Sequence, residues 1–125
     1  MELTAPTTPR VLVVDDEPGI TEIVAAALKG EGYDVSVASS ASEAFEKLRR
    51  EDFGLLVLDV MLPDMDGIMV HNRLRALDPL LAGKTIFISA WAKGTEVREY
   101  LDSVGNFLPK PFSVQDLVRL ARSLN

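Results

Sequence analysis

Short apolar runs alternate along this chain with longer segments whose apolar positions recur every three or four residues. Val11-Leu12-Val13-Val14, Leu55-Leu56-Val57-Leu58 and Thr85-Ile86-Phe87-Ile88 are rich in β-branched and aliphatic residues and lack polar alternation. That is the pattern of strands buried on both faces. Val35 and Val37 alternate with Asp34 and Ser36, which predicts a strand wetted on one side, at or near a sheet edge. Phe107-Leu108, stopped by Pro109, predicts a brief fifth strand. Between the strands, Ile20, Ile23, Val24, Ala27 and Leu28 fall at helical spacing after Pro18, whose missing N–H costs nothing in a first turn, and Gly30 and Gly32 end this helix. Ser40 with Glu43 offers a capping box to a second helix burying Ala44, Phe45 and Leu48. A third helix opens near Gly67, turns Ile68, Val70 and Leu74 inward and ends at Asp78-Pro79. A short fourth helix is expected over residues 95–101, and Ser113 with Asp116 caps a last one whose Leu117, Leu120, Ala121 and Leu124 face inward.

The order is βα five times over. It predicts an α/β fold, a doubly wound open parallel sheet with right-handed crossovers, and a ligand site beyond the carboxyl ends of the strands. Asp15, Asp16, Asp59, Ser89 and Lys110 all fall at those ends. Carboxylates gathered there repel one another and lose hydration, so one must take up a proton unless a cation joins them. A divalent metal answers that need.

Composition narrows the picture. With 125 residues, 47% of them hydrophobic, the chain has material for one core, read as a domain over residues 10–125 behind a flexible arm over residues 1–9. The absence of cysteine excludes disulfides and thiolate metal sites, leaves oxygen as the ligand for any metal and suits a reducing cytoplasm. No apolar stretch is long enough to span a bilayer, so no membrane contact is expected. A net charge of −6 with no large Lys/Arg cluster argues against direct nucleic-acid binding.

The Asp-Asp-Glu after the first strand, Leu58-Asp59-Val60-Met61-Leu62-Pro63-Asp64-Met65-Asp66-Gly67, Ser89-Ala90 and Lys110-Pro111-Phe112 together resemble the receiver domain of bacterial two-component response regulators. The resemblance covers nearly the whole chain. It implies a flavodoxin-like sheet of order 2-1-3-4-5. It implies that Asp59 is the phosphoacceptor, modified by a histidine kinase or a phosphotransfer protein, and that Mg²⁺ is held by Asp15, Asp16, Asp59 and the backbone carbonyl of Met61. Lys110 is then the second cation at the phosphoryl group, with a cis bond to Pro111. Ser89 donates to a phosphoryl oxygen once one is present, and Phe107 fills the space opened as Ser89 moves. A downstream effector protein or output domain would read the change on the fourth helix, fifth strand and last helix. Such a domain is a phosphoacceptor that assists its own phosphorylation and dephosphorylation rather than a turnover enzyme.

Taken singly these residues have plainer readings: an Asp after a strand is often a helix N-cap, and Phe107 is often simple core. His71, without a second His or Cys, reads as a structural histidine. The Asp64-Met65-Asp66-Gly67 stretch is not a calcium loop, because Leu62 occupies the first ligand position. The rival of a different class is a phosphorylation-independent interaction module of the same fold. An FMN binder or an aspartate-based phosphatase is disfavoured, since no phosphate-cradling loop follows strand one and Asp15-Asp16 are adjacent. Met61 and Trp91, each two residues past a site position, place apolar bulk where the family commonly has polar groups, which predicts slow self-dephosphorylation.

Overall fold

The apolar runs form the middle of the sheet. In this computed structural model, which describes residues 9–90, 99–101, 103 and 106–124, β1 (Arg10–Val14) and β3 (Leu55–Asp59) lie side by side. β2 (Asp34–Ala38) flanks β1, and β4 (Thr85–Ser89) and β5 (Phe107–Pro109) extend the sheet beyond β3. All pairings are parallel and the order is β2-β1-β3-β4-β5. This is the flavodoxin-like arrangement expected, with the alternating strand Asp34–Ala38 at an edge.

Consecutive strand residues point to opposite faces, and helices cover both. Leu12, Val14, Leu56, Leu58 and Phe87 pack with Ala44, Val70 and Leu74, from α2 (Ala41–Arg50) and α3 (Gly67–Leu77). Val11, Val13, Leu55, Val57, Ile86 and Ile88 pack on the other side with Val24 and Leu28 of α1 (Pro18–Gly30) and Leu117 and Ala121 of α5 (Val114–Leu124). Each fully buried side chain of this kind contributes about 1.5–3 kcal/mol of transfer free energy, which explains why β1 and β3 carry polar residues only at their ends.

Local chemistry sets the helix ends. Ser40 Oγ accepts from Glu43 N–H at 3.1 Å, while the Glu43 carboxylate accepts from Ser39 instead of completing the box. Ser113 Oγ caps Asp116 N–H at 3.0 Å. One expectation is corrected and one is extended. Ile23 is 53% exposed: the buried stripe of α1 runs through Thr21, Val24 and Leu28, and Thr21 turns inward because its hydroxyl is satisfied by Pro18 O at 3.0 Å. Asp78-Pro79 ends α3 but also starts a one-turn helix, α4 (Pro79–Ala82), with the Asp78 carboxylate accepting from Leu81 N–H and proline at the first helical position. Of the expected fourth helix over residues 95–101, residues 99–101 are helical, as is Ser103; the rest of it, all but the last residue of the arm over residues 1–9, and Trp91 lie outside the described residues.

Register brings the strand ends level. Val14 pairs with Ala38 and Leu58, Asp59 with Ile88, and Ser89 with Pro109, so the residues at or just past these ends share one rim of the sheet.

Candidate functional site

Asp15 leaves β1 with its backbone N–H donating to Ala38 O at 3.1 Å, and its Oδ1 accepts from Glu17 N–H at 2.9 Å. The carboxylate is thereby held over the sheet rim, 1% exposed. Asp59 closes β3 and is 3% exposed. Its Oδ1 accepts from Met61 N–H at 3.1 Å and its Oδ2 from Lys110 Nζ at 3.1 Å. Lys110 is steered by its own backbone, whose N–H donates to Ser89 O at 2.7 Å, and by a cis bond to Pro111. Its ammonium also lies 2.8 Å from Asp15 Oδ2 and 2.8 Å from Glu17 Oε1.

One ammonium thus faces three carboxylates, and the balance is visible in their protonation. Burial pushes the Asp59 carboxyl up to about 6, the Met61 N–H bond opposes it, the Asp15 charge adds to it and Lys110 counters it. For Lys110, burial works against the charge, but its bonds to Asp15, Glu17 and Asp59 outweigh that and raise its pKa.

The donor set suits a hard cation. Asp15, Glu17 and Asp59 each offer a carboxylate oxygen within 4.8 Å of the others. Asp15 Oδ2, fully buried, touches the ammonium at ion-pair distance without the alignment of a hydrogen bond and has no other partner among the described residues, so it keeps lone pairs to give. The cluster opens into a cleft of about 390 Å³ lined by Asp16, Glu17, Asp59, Met61, Leu62, Pro63, Ala90 and Lys110. The structure therefore unites Asp15, Asp59 and Lys110, adds Glu17, and leaves Asp16 exposed on the cleft rim. Ser89 is buried at the end of β4, Met61 is 55% exposed, and Phe107 is half-buried beside Phe87.

The response regulator receiver domain model matches residues 11–122. This chain belongs to that family. It is 40% identical over 116 residues to the transcriptional regulatory protein TrcR and 38% identical over 116 residues to the probable transcriptional regulatory protein TcrX, both of Mycobacterium tuberculosis. These matches cover 92% and 91% of this chain but 44% and 48% of the relatives, so the chain spans about half of their length. Among solved structures, a CheY-like receiver domain protein of Methanospirillum hungatei superposes with a TM-score of 0.84 at 29% identity, covering 94% of each chain. The response regulator TrrA of Thermotoga maritima, solved with Mg²⁺ and BeF, gives 0.81 at 29% identity, covering 94% of this chain and 100% of that one.

Two further features of this receiver bear on its site. Asp64, in the loop that follows Asp59, accepts from Ala41 N–H and Ser42 N–H at 2.9 Å each, capping α2 from a distance; these bonds hold its carboxyl below the usual range. No local pattern announces such a contact between loops. A larger cleft, about 530 Å³, lies near His71, Arg75, Tyr100 and Asn106, but among the described residues it gathers no acid cluster, unlike the smaller one. His71 is structural: Ala82 O lies 2.9 Å from its Nε2, Tyr100 Oη lies 2.5 Å from its Nδ1, and burial lowers its pKa. No helix among the described residues is long and apolar enough to cross a membrane.

Proposed function

We propose that Asp59 of this receiver accepts a phosphoryl group from a histidine kinase or a phosphotransfer protein, in the cytoplasm, and that the modified domain is read by a downstream effector or output domain. The observation that carries this is the seating of Asp59: a buried carboxylate at a strand end, open to a cleft, held by Lys110 on one oxygen and by Met61 N–H on the other. An Asp59 oxygen attacks phosphorus, a P–O bond forms, and the P–N bond of the donor phosphohistidine breaks to leave imidazole. Attack requires the ionised carboxylate, which Lys110 favours. Lys110 then turns its charge to a phosphoryl oxygen.

Asp15, Asp59 and the rim residue Asp16, with the Met61 carbonyl, would hold Mg²⁺, which would offset charge on the transferring oxygens. Ser89, buried beside the strand end that Lys110 shares, donates to the new phosphoryl group, and its displacement frees space for Phe107. The phosphate's charge thereby becomes a packing change at the β4–β5 edge. The domain is consumed and regenerated rather than turning over a substrate.

The test is intact mass after incubation with acetyl phosphate and Mg²⁺. One phosphoryl adduct is expected, absent from Asp59→Asn. No adduct, or one that survives the substitution, would favour a phosphorylation-independent interaction module. The lifetime of the adduct is a separate expectation, carried by the exposed Met61 side chain at the cleft and by the sequence position of Trp91, two residues past Ser89: apolar bulk at these positions would shield the acyl phosphate from water. The Met61→Asn, Trp91→Glu double variant should release phosphate several-fold faster in a time course, and an unchanged rate would discard the shielding role.

A further inference from the structure

We infer that Glu17 is a positioning residue, a removable partner that occupies Lys110 until a phosphoryl group replaces it. The inference rests on the proposed acceptor role of Asp59 and concerns how readily that site is filled.

An ammonium has three N–H donors. Lys110 donates two of them, to Glu17 Oε1 at 2.8 Å and to Asp59 Oδ2 at 3.1 Å, and Asp15 Oδ2 lies 2.8 Å from the same nitrogen as an ion pair without hydrogen-bond alignment. Three carboxylate oxygens already crowd this ammonium, so a phosphoryl oxygen arriving on Asp59 reaches it as one of them withdraws. The three differ in what they lose. The Asp15 side chain is wholly buried and that of Asp59 is 4% exposed, so no water can replace the ammonium there. The Glu17 side chain is 58% exposed, and water takes over its lone pairs at small cost. Glu17 is the contact that yields.

Its place in the fold supports this. Glu17 stands at the N-cap of α1, where a side-chain oxygen ordinarily bonds the second or third helical N–H, yet it makes no such bond. Its backbone carbonyl accepts from Ile20 and Thr21 N–H, and its N–H is held by Asp15 Oδ1. The backbone is therefore fixed while the carboxylate crosses to a lysine ninety-three positions away. Nothing in the helix needs that carboxylate; the ammonium alone retains it.

Removing the contact should lower the barrier to filling the site by the worth of one exposed charge pair, about three-fold in rate. The measurement is the rate of phosphoryl adduct formation at saturating Mg²⁺ and subsaturating acetyl phosphate, followed by intact mass. Glu17→Gln removes the charge. Glu17→Asp keeps the charge but is one methylene too short to reach Lys110. Both variants are expected to react about three-fold faster than the natural protein. A gain in Glu17→Gln alone means simple repulsion of the anionic donor and overturns the inference, as does an unchanged or slower rate in both. A natural protein that forms no adduct at all refutes the acceptor role instead, so the two failures are distinct.

Discussion

Gly67→Ala is expected to lower the melting temperature by about 10 °C and to slow phosphoryl adduct formation by at least roughly tenfold. Gly67 opens α3, and a Cβ built there would lie 2.4 Å from Asp59 O, 3.0 Å from Val60 Cα and 3.1 Å from Asp59 C. Every one of those atoms is backbone, so no side chain can swing aside. Nor can the helix start retreat without losing the bond from Gly67 N–H to Val60 O at 2.7 Å. The clash has to be relieved by moving the end of β3, at a cost of about 3 kcal/mol, the upper part of the range for overpacking. The same movement displaces Asp59 relative to Lys110 and the Met61 N–H, and a misplacement of this kind costs a group-transfer site about one to two orders of magnitude in rate. Thermal melts and the acetyl phosphate time course read the two effects separately. Gly19→Ala is the matched control, because a Cβ there meets nothing within 4 Å and the backbone entropy removed from the unfolded chain makes it neutral or slightly stabilising. A Gly67→Ala protein that melts like the control would show that the loop between β3 and α3 is not held against the strand.

What could be read from sequence divides along a physical line. Strands such as Val11-Leu12-Val13-Val14 are legible because burial on both faces forbids polar residues, a constraint written into adjacent positions. Asp59 and Lys110 are legible because parallel topology brings strand ends to one rim whatever the side chains do. Glu17 sits in the Asp-Asp-Glu motif, but its contact with Lys110 depends on which way one exposed side chain turns toward a residue ninety-three positions off. Adjacent sequence cannot encode that. Asp64 is of the same kind, a carboxylate capping α2 from another loop. Ile23 is exposed and Thr21 buried since five apolar residues at helical spacing in α1 cover more than one face, and a threonine that bonds its own helix can be buried as readily as an isoleucine. The one-turn helix α4 was hidden because Asp-Pro is both a stop for the helix before it and a start for the next.

Asp59→Asn is expected to stabilise the protein at pH 8 without divalent cations, by about 1–2 kcal/mol or roughly 5 °C in melting temperature. An ordinary unfolded aspartate titrates near 3.9, whereas burial first and the Asp15 charge after it push the folded Asp59 up to about 6. This is the reverse of the usual carboxylate. The folded state binds more protons between those values, so the favourable contribution is complete below about pH 4 and is lost as pH rises through about 6. Above that, the ionised Asp59 is a standing penalty that asparagine removes. The gain falls short of the full shift because the amide keeps an acceptor for Met61 N–H but presents no anion to Lys110, which retains Asp15 and Glu17. The difference between the two proteins should therefore be flat above about pH 7, shrink through pH 6 and vanish near pH 4. Millimolar Mg²⁺ should narrow it at pH 8, since a cation that binds the natural acid cluster more tightly than the neutralised one stabilises the former by mass action. Melting curves across pH, with and without Mg²⁺, decide the matter. A difference that does not change with pH would mean that Asp59 carries no such penalty, and that the ammonium of Lys110 already balances the cluster without a metal.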